Sequence, residues 1–243
     1  MPEYTVQHVL GSGNTVGKAL VQHPAAAGVG FTGSFAGGKA LWDLANKRER
    51  PIPVFAEMSS INSVVFFPDT LQQNAATLAK TYAGSITLGV GQFCTNPGLL
   101  LAIKGEALDH FLALLGKEIE QVVPQKMLHS GIQQSYTKGL QQALVQKGIE
   151  KVGAAVAEAG EGEALPTVAK VAAKDFLKNP HLREEIFGPY SLAVVCDDEA
   201  VLAEVLSSLK GQLTTTVMAT DKDIADHADI IALQATLAGR IIL

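Results

Sequence analysis

Short apolar runs alternate with helix-length amphipathic segments through almost the whole chain, and that rhythm limits the folds open to it. Val6–Leu10 reads as a strand, and Gly11-Ser-Gly-Asn-Thr-Val-Gly17 as a tight turn into a helix reaching about His23. Gly28–Thr32 reads as a second strand, Gly33-Ser34 opens a helix through about Ala45, and Pro53–Glu57 is again strand-like. Further strands are expected at Ser63–Phe67, Leu99–Ile103, Tyr190–Val195 and Thr214–Ala219. Helices are expected at Leu71–Thr87, Leu108–Gln121, Gly131–Gln146, Glu199–Leu209 and Asp223–Thr236. The weakly periodic Gly148–Pro166 reads as a surface excursion. Strands spaced by helices are the mark of βαβ units, so the expected class is α/β with a parallel sheet.

Composition narrows the function. Apolar residues are 47% and charged residues 18% of 243, which fits a packed globular protein rather than a disordered one. A net charge of −5 lacks the basic footprint of a phosphate-backbone binder, so no nucleic-acid partner is expected. No apolar run is long enough to span a bilayer, and no signal peptide is read, so the expected compartment is cytoplasmic. Two cysteines, Cys94 and Cys196, cannot make a disulfide framework. The six histidines show no ligand spacing, so no metal is expected, and surface or capping roles are read for each.

Five segments could carry chemistry. Gly11, Gly13 and Gly17 suit close approach of backbone N–H groups to a phosphate, although an ordinary tight turn has the same composition. Phe31-Thr-Gly-Ser34 stands at a strand-to-helix junction, where Ser34 caps the helix or, with Gly33, meets an anion. Glu57 ends a strand, the place where α/β ligand sites form; it is either a partly buried general base or a solvated strand end. Gly91-Gln-Phe-Cys94-Thr-Asn-Pro-Gly98 places a thiol in a loop stiffened by Pro-Gly, which suits a nucleophile better than a packing residue. Cys196, at the end of Ala193-Val-Val-Cys196, reads as packing. Glu184-Glu-Ile-Phe-Gly-Pro189 is by itself a weak signal.

Together, in this order, Phe31–Ser34, Glu57-Met-Ser-Ser-Ile-Asn62, Gly91–Cys94 and Glu184–Pro189 resemble four signatures of the aldehyde dehydrogenase superfamily. Their detail is similar to the bacterial branch holding 2,5-dioxovalerate (α-ketoglutaric semialdehyde) and NADP-dependent fatty aldehyde dehydrogenases. Ser59-Ser60 stands where many members carry Gly-Gly.

The resemblance implies that residues 1–57 are the C-terminal part of a Rossmann-like NAD(P)-binding domain and 58–243 a truncated catalytic domain. Members run to about twice this length, so the chain is expected to be a central fragment. By resemblance Cys94 is the nucleophile, its backbone N–H an oxyanion donor, and Glu57 the base for the hydrolytic water. Gly33 and Ser34 would lie by the cofactor pyrophosphate, Met58 by the carboxamide, Glu185 by the nicotinamide ribose and Phe187 near the ring, with Gly13 and Gly17 supporting the adenine side. The implied cofactor is NADP or NAD, and the implied substrate 2,5-dioxovalerate or a long-chain fatty aldehyde. The full-length relative is expected to be a homo-oligomer. A non-catalytic piece that assembles with another segment is the alternative from another class.

Overall fold

The computed structural model describes residues 2 and 4–243. The chain divides into two compact units, Met1–Ser59 and Ser60–Leu243.

In the first unit, helix α1 (Gly13–Gln22) leads to strand β1 (Val29–Gly33), helix α2 (Phe35–Asn46) and strand β2 (Val54–Met58). β1 and β2 pair in parallel, with Thr32 opposite Glu57 and Gly33 opposite Met58. α2 is the crossover that a parallel pair requires. Arg48 fastens the end of α1: its guanidinium donates to the carbonyls of Val21, His23 at 2.8 Å and Ala26 at 3.2 Å.

The strand expected at Val6–Leu10 does not form. That segment is irregular and exposed, because an apolar run becomes a strand only where a sheet edge receives its backbone, and β1 pairs with β2 alone. Gly11–Gly17 therefore follows irregular chain, and the strand–turn–helix setting that a phosphate loop needs is not present there.

The second unit is a doubly wound α/β sandwich. Its elements are β3 (Ser63–Phe66), α3 (Pro68–Thr87), β4 (Leu99–Ile103), α4 (Glu106–Glu120), β5 (Gln125–Lys126) and α5 (Ser130–Leu144). They continue as β6 (Glu150–Ala154), β7 (Glu163–Ala164), β8 (Thr167–Ala172), α6 (Ala173–Lys178) and β9 (Tyr190–Cys196). α7 (Glu199–Ser207), β10 (Gln212–Met218), α8 (Asp221–Asp226), α9 (Ala228–Ala235) and β11 (Ala238–Ile242) complete it. Seven strands form one sheet in the order β11-β10-β3-β4-β9-β8-β6, parallel except for β6 against β8. β5 and β7 make a separate small antiparallel pair.

The central strands are buried on both faces, as expected of strands covered by helices on each side. Leu99, Leu101, Leu192 and Val194 pack on one side with Phe176, Leu202, Leu206 and Ile230. Leu100, Ala102 and Ala193 pack on the other with Leu71, Ala79, Phe111 and Leu115. The side chains alternate because the strand period is two.

Two expectations in this unit are corrected. Gly148–Pro166 is not only an excursion: it supplies β6 at the sheet edge and β7. The single helix expected over Asp223–Thr236 is two, α8 and α9, broken at His227 (φ −124°, ψ 31°). There His227 stacks on Phe67 with ring centroids 4.8 Å apart, and its Nδ1 lies 2.8 Å from Glu199 Oε2. His227 stands at the cap position between the two helices, and its partly buried ring is held by these contacts.

Candidate active site

β4 begins at Leu99, and the loop delivering the chain to it carries Cys94. Before the loop, Gly89, Val90 and Gly91 have φ of 54°, 60° and 64°, three left-handed residues in succession. For β-branched Val90 this is a strained conformation, costing on the order of 1–3 kcal/mol, and its buried side chain helps hold it.

The chain then makes a β-turn, with Asn96 N–H donating to the Phe93 carbonyl at 3.0 Å. Cys94 and Thr95 are the two corner residues, and the thiol is exposed. Such a corner leaves a thiol open to an incoming electrophile.

Four hydrogen bonds seat this turn. Gly98 N–H donates to Ile61 O at 3.0 Å. The Asn62 amide donates to the carbonyls of Cys94 at 2.9 Å and Asn96 at 3.0 Å. The Asn96 amide donates to Gly188 O at 3.1 Å, linking the turn to Glu184–Pro189. Gly91 also meets that second loop: a Cβ built on it would lie 2.3 Å from the Gly188 carbonyl. Tyr136 supports it from below, its hydroxyl donating to Leu165 O at 2.7 Å and lying 3.2 Å from Pro189 O.

Two sequence-distant motifs, Gly91–Gly98 and Glu184–Pro189, are thus one structure. They enclose a recess lined by Asn96, Glu185, Ile186 and Phe187, among others. Phe187 is partly exposed, and Glu185 is half-buried and engaged. Cys196, the other thiol, is fully buried at the end of β9; burial and the neighbouring Asp197 and Asp198 push it up to about 12.

The remaining candidates lie in the first unit. Glu57 is exposed at the end of β2, so the partial burial weighed for a base is not met within that unit. It borders an open recess with Thr32, Phe31 and Phe55. Ser34 is the N-cap of α2, accepting from Gly37 N–H at 3.2 Å, and Phe35 N–H donates to Ser59 Oγ at 3.3 Å. A Cβ on Gly33 would come within 2.8 Å of the Phe31 ring, so the ring would have to move to admit a side chain. Met58 packs under the same junction against Gly38. A bare glycine and an exposed helix N-terminus fit the phosphate end of a dinucleotide.

Asn62 and Asn96 lie inside quoted motifs, yet neither stood out as a functional residue. The available signal for Asn62 was local, because asparagine tolerates the left-handed φ of 45° found there. Among the described residues no cluster of His, Cys, Asp and Glu could hold a metal ion, and no helix is long and apolar enough to cross a membrane.

Comparison with known proteins gives the family. Residues 1–232 match the aldehyde dehydrogenase family. The chain belongs to the aldehyde dehydrogenase family. It is 42% identical over its whole length to alpha-ketoglutaric semialdehyde dehydrogenase 2 of Azospirillum brasilense, covering 46% of that protein. It is 38% identical to alpha-ketoglutaric semialdehyde dehydrogenase of Acinetobacter baylyi, again over the whole chain and 46% of the relative. The chain spans about half the length of the curated relatives it matches. Among solved structures, the aldehyde dehydrogenase KauB from Pseudomonas aeruginosa superposes with a TM-score of 0.78 at 22% identity, over 96% of this chain and 47% of that one. That likeness is one of fold.

Proposed function

We propose that this chain carries the thiol machinery of an NAD(P)-dependent aldehyde dehydrogenase and that the aldehyde is 2,5-dioxovalerate, oxidised to 2-oxoglutarate. The carrying observation is Cys94 at the exposed corner of a turn anchored by Asn62 and joined to Glu184–Pro189. The substrate assignment is supported by two whole-chain relatives, both named alpha-ketoglutaric semialdehyde dehydrogenases.

In this reading Cys94 Sγ, having given its proton to solvent, adds as the thiolate to the aldehyde carbon, and the new C–S bond turns the carbonyl oxygen into an oxyanion. The Cys94 backbone N–H donates to that oxygen, a contribution of the kind whose removal costs about 10²–10³ in rate. The nicotinamide cofactor, when bound, supplies the hydride acceptor. Cys94 then holds the acyl group as a thioester. Glu57 takes a proton from water, which attacks the acyl carbon and releases the acid and the thiol. Division at a covalent intermediate replaces one difficult step by two easier ones.

Gly33 and Ser34 would hold the cofactor phosphates at the α2 N-terminus. Met58 would meet the carboxamide through its backbone, Glu185 would accept from ribose hydroxyls, and Phe187 would pack by the ring. Gly13 and Gly17, in the first turns of α1, would stay supporting candidates for the adenine side.

The test is a rapid-mixing measurement of NAD(P)H with 2,5-dioxovalerate. Glu57→Gln is expected to give one equivalent quickly and then stall, because thioester forms and water does not clear it. A steady rate equal to that of the parent chain would remove Glu57 from the mechanism.

A further inference from the structure

Gln212 lies at the start of β10, some 120 residues beyond the Cys94 turn, in none of the motifs above. Its side-chain oxygen accepts from the backbone N–H groups of Ile61 at 2.8 Å and Asn62 at 3.1 Å, and the Ser60 hydroxyl lies 3.1 Å away. Ser60 Oγ in turn lies 2.7 Å from Asn62 Oδ1 and accepts from Leu213 N–H at 3.0 Å. Asn62 Oδ1 also accepts from Thr214 N–H at 3.2 Å and its hydroxyl at 3.1 Å. Asn62 is 2% exposed and left-handed, and its amide donates to the carbonyls of Cys94 and Asn96, with a longer contact of 3.4 Å to Ser60 O.

We propose that Gln212, through Ser60 and Asn62, is a positioning residue for Cys94, clamping the turn so that the nucleophile and its neighbouring N–H groups face the substrate side. The proposal rests on the reading of Cys94 as the nucleophile. The peptide bonds here are trans, so a Cys94 carbonyl held inward by Asn62 directs the Thr95 N–H the opposite way. Facing is therefore set from beneath, by part-buried hydrogen bonds that are cooperative with one another. Ser60, noted above as a departure from Gly-Gly, places its hydroxyl between Gln212 Oε1 and Asn62 Oδ1, where its single proton is shared between two acceptors. With glycine at that position only the direct bond from Asn62 N–H to Gln212 would remain.

The experiment compares Gln212→Met, which keeps the length and removes the acceptor, with Gln212→Glu, which keeps an acceptor oxygen. Hydrogen exchange of residues 92–98 is followed beside that of β4 and β9. Gln212→Met is expected to speed exchange of 92–98 about tenfold, the size of effect that lost bonds of ordinary strength have on local opening, with β4 and β9 unmoved. Gln212→Glu should restore protection. In turnover, Gln212→Met should lower kcat by about 10²-fold and leave KM nearly constant, as misplacement of a reacting group does. Unchanged exchange at 92–98, an equal rise across the sheet, or a loss expressed in KM alone would overturn the clamp. Aldehyde oxidation surviving in Cys94→Ala would strike out the nucleophile reading instead, and the exchange data would still judge the clamp.

Discussion

Gly91 and Gly188 touch backbone to backbone, so that the thiol loop and the Glu184–Pro189 loop have no room for a side chain between them. A Cβ on Gly91 would lie 2.3 Å from the Gly188 carbonyl and 2.5 Å from Pro189 N, and Gly91 has φ 64°. Neither obstacle can be relieved by turning a side chain.

Gly91→Ala is accordingly expected to cost about 3 kcal/mol or more, since strain and a backbone clash act at one residue. Urea unfolding of variant and parent measures this directly. A midpoint within error of the parent would show that the two loops are not locked together.

Asp223 offers a second test. It is 2% exposed, and its carboxylate accepts from Asp69 N–H at 3.0 Å and Thr70 N–H at 2.8 Å, in the first turn of α3. It also completes a capping box with Thr220 at the start of α8. One side chain therefore caps two helices. Asp223→Ala should destabilise by about 2–3 kcal/mol, more than a single lost cap, because buried N–H groups are left without partners. Thermal unfolding should shift to match.

A third prediction concerns alkaline pH. Burial pushes the Cys196 thiol up to about 12, above its ordinary value of 9.0. Its folded-state affinity for the proton is raised, so the contribution is whole below about pH 9 and is lost as pH rises towards 12. Between those values the unfolded chain has ionised this thiol and the folded chain has not, so unfolding releases a proton. Cys196→Ala should lose less stability than the parent over pH 9–12 in denaturant titrations. Parallel curves would contradict the assignment.

Much of the fold was legible because its strongest elements are locally decided. β3, β4 and β9 are continuous apolar runs, and their burial on both faces leaves few other fates for them. β6 was hidden for the opposite reason: Glu150–Ala154 opens on the exposed pair Glu150-Lys151 and acquires its strand by pairing with Thr167–Ala172. Val6–Leu10 has strand composition without a partner, and composition does not report partners. His227 interrupts a helical pattern through a stack on Phe67, a contact 160 positions away in the chain. The site divides similarly. Cys94 announced itself through the glycines and Pro97-Gly98 around it, whereas Gln212 acts across the sheet and has no local mark.

The measurement closest to the central claim is NAD(P)H formation from 2,5-dioxovalerate by the chain, run beside Cys94→Ala. With Cys94 as the nucleophile, the parent reduces cofactor and Cys94→Ala loses at least about 10³ of that rate, as enzymes do when a covalent nucleophile is removed. Cofactor reduction by Cys94→Ala at the parent rate would contradict the account, because no other exposed thiol is available among the described residues to form the intermediate.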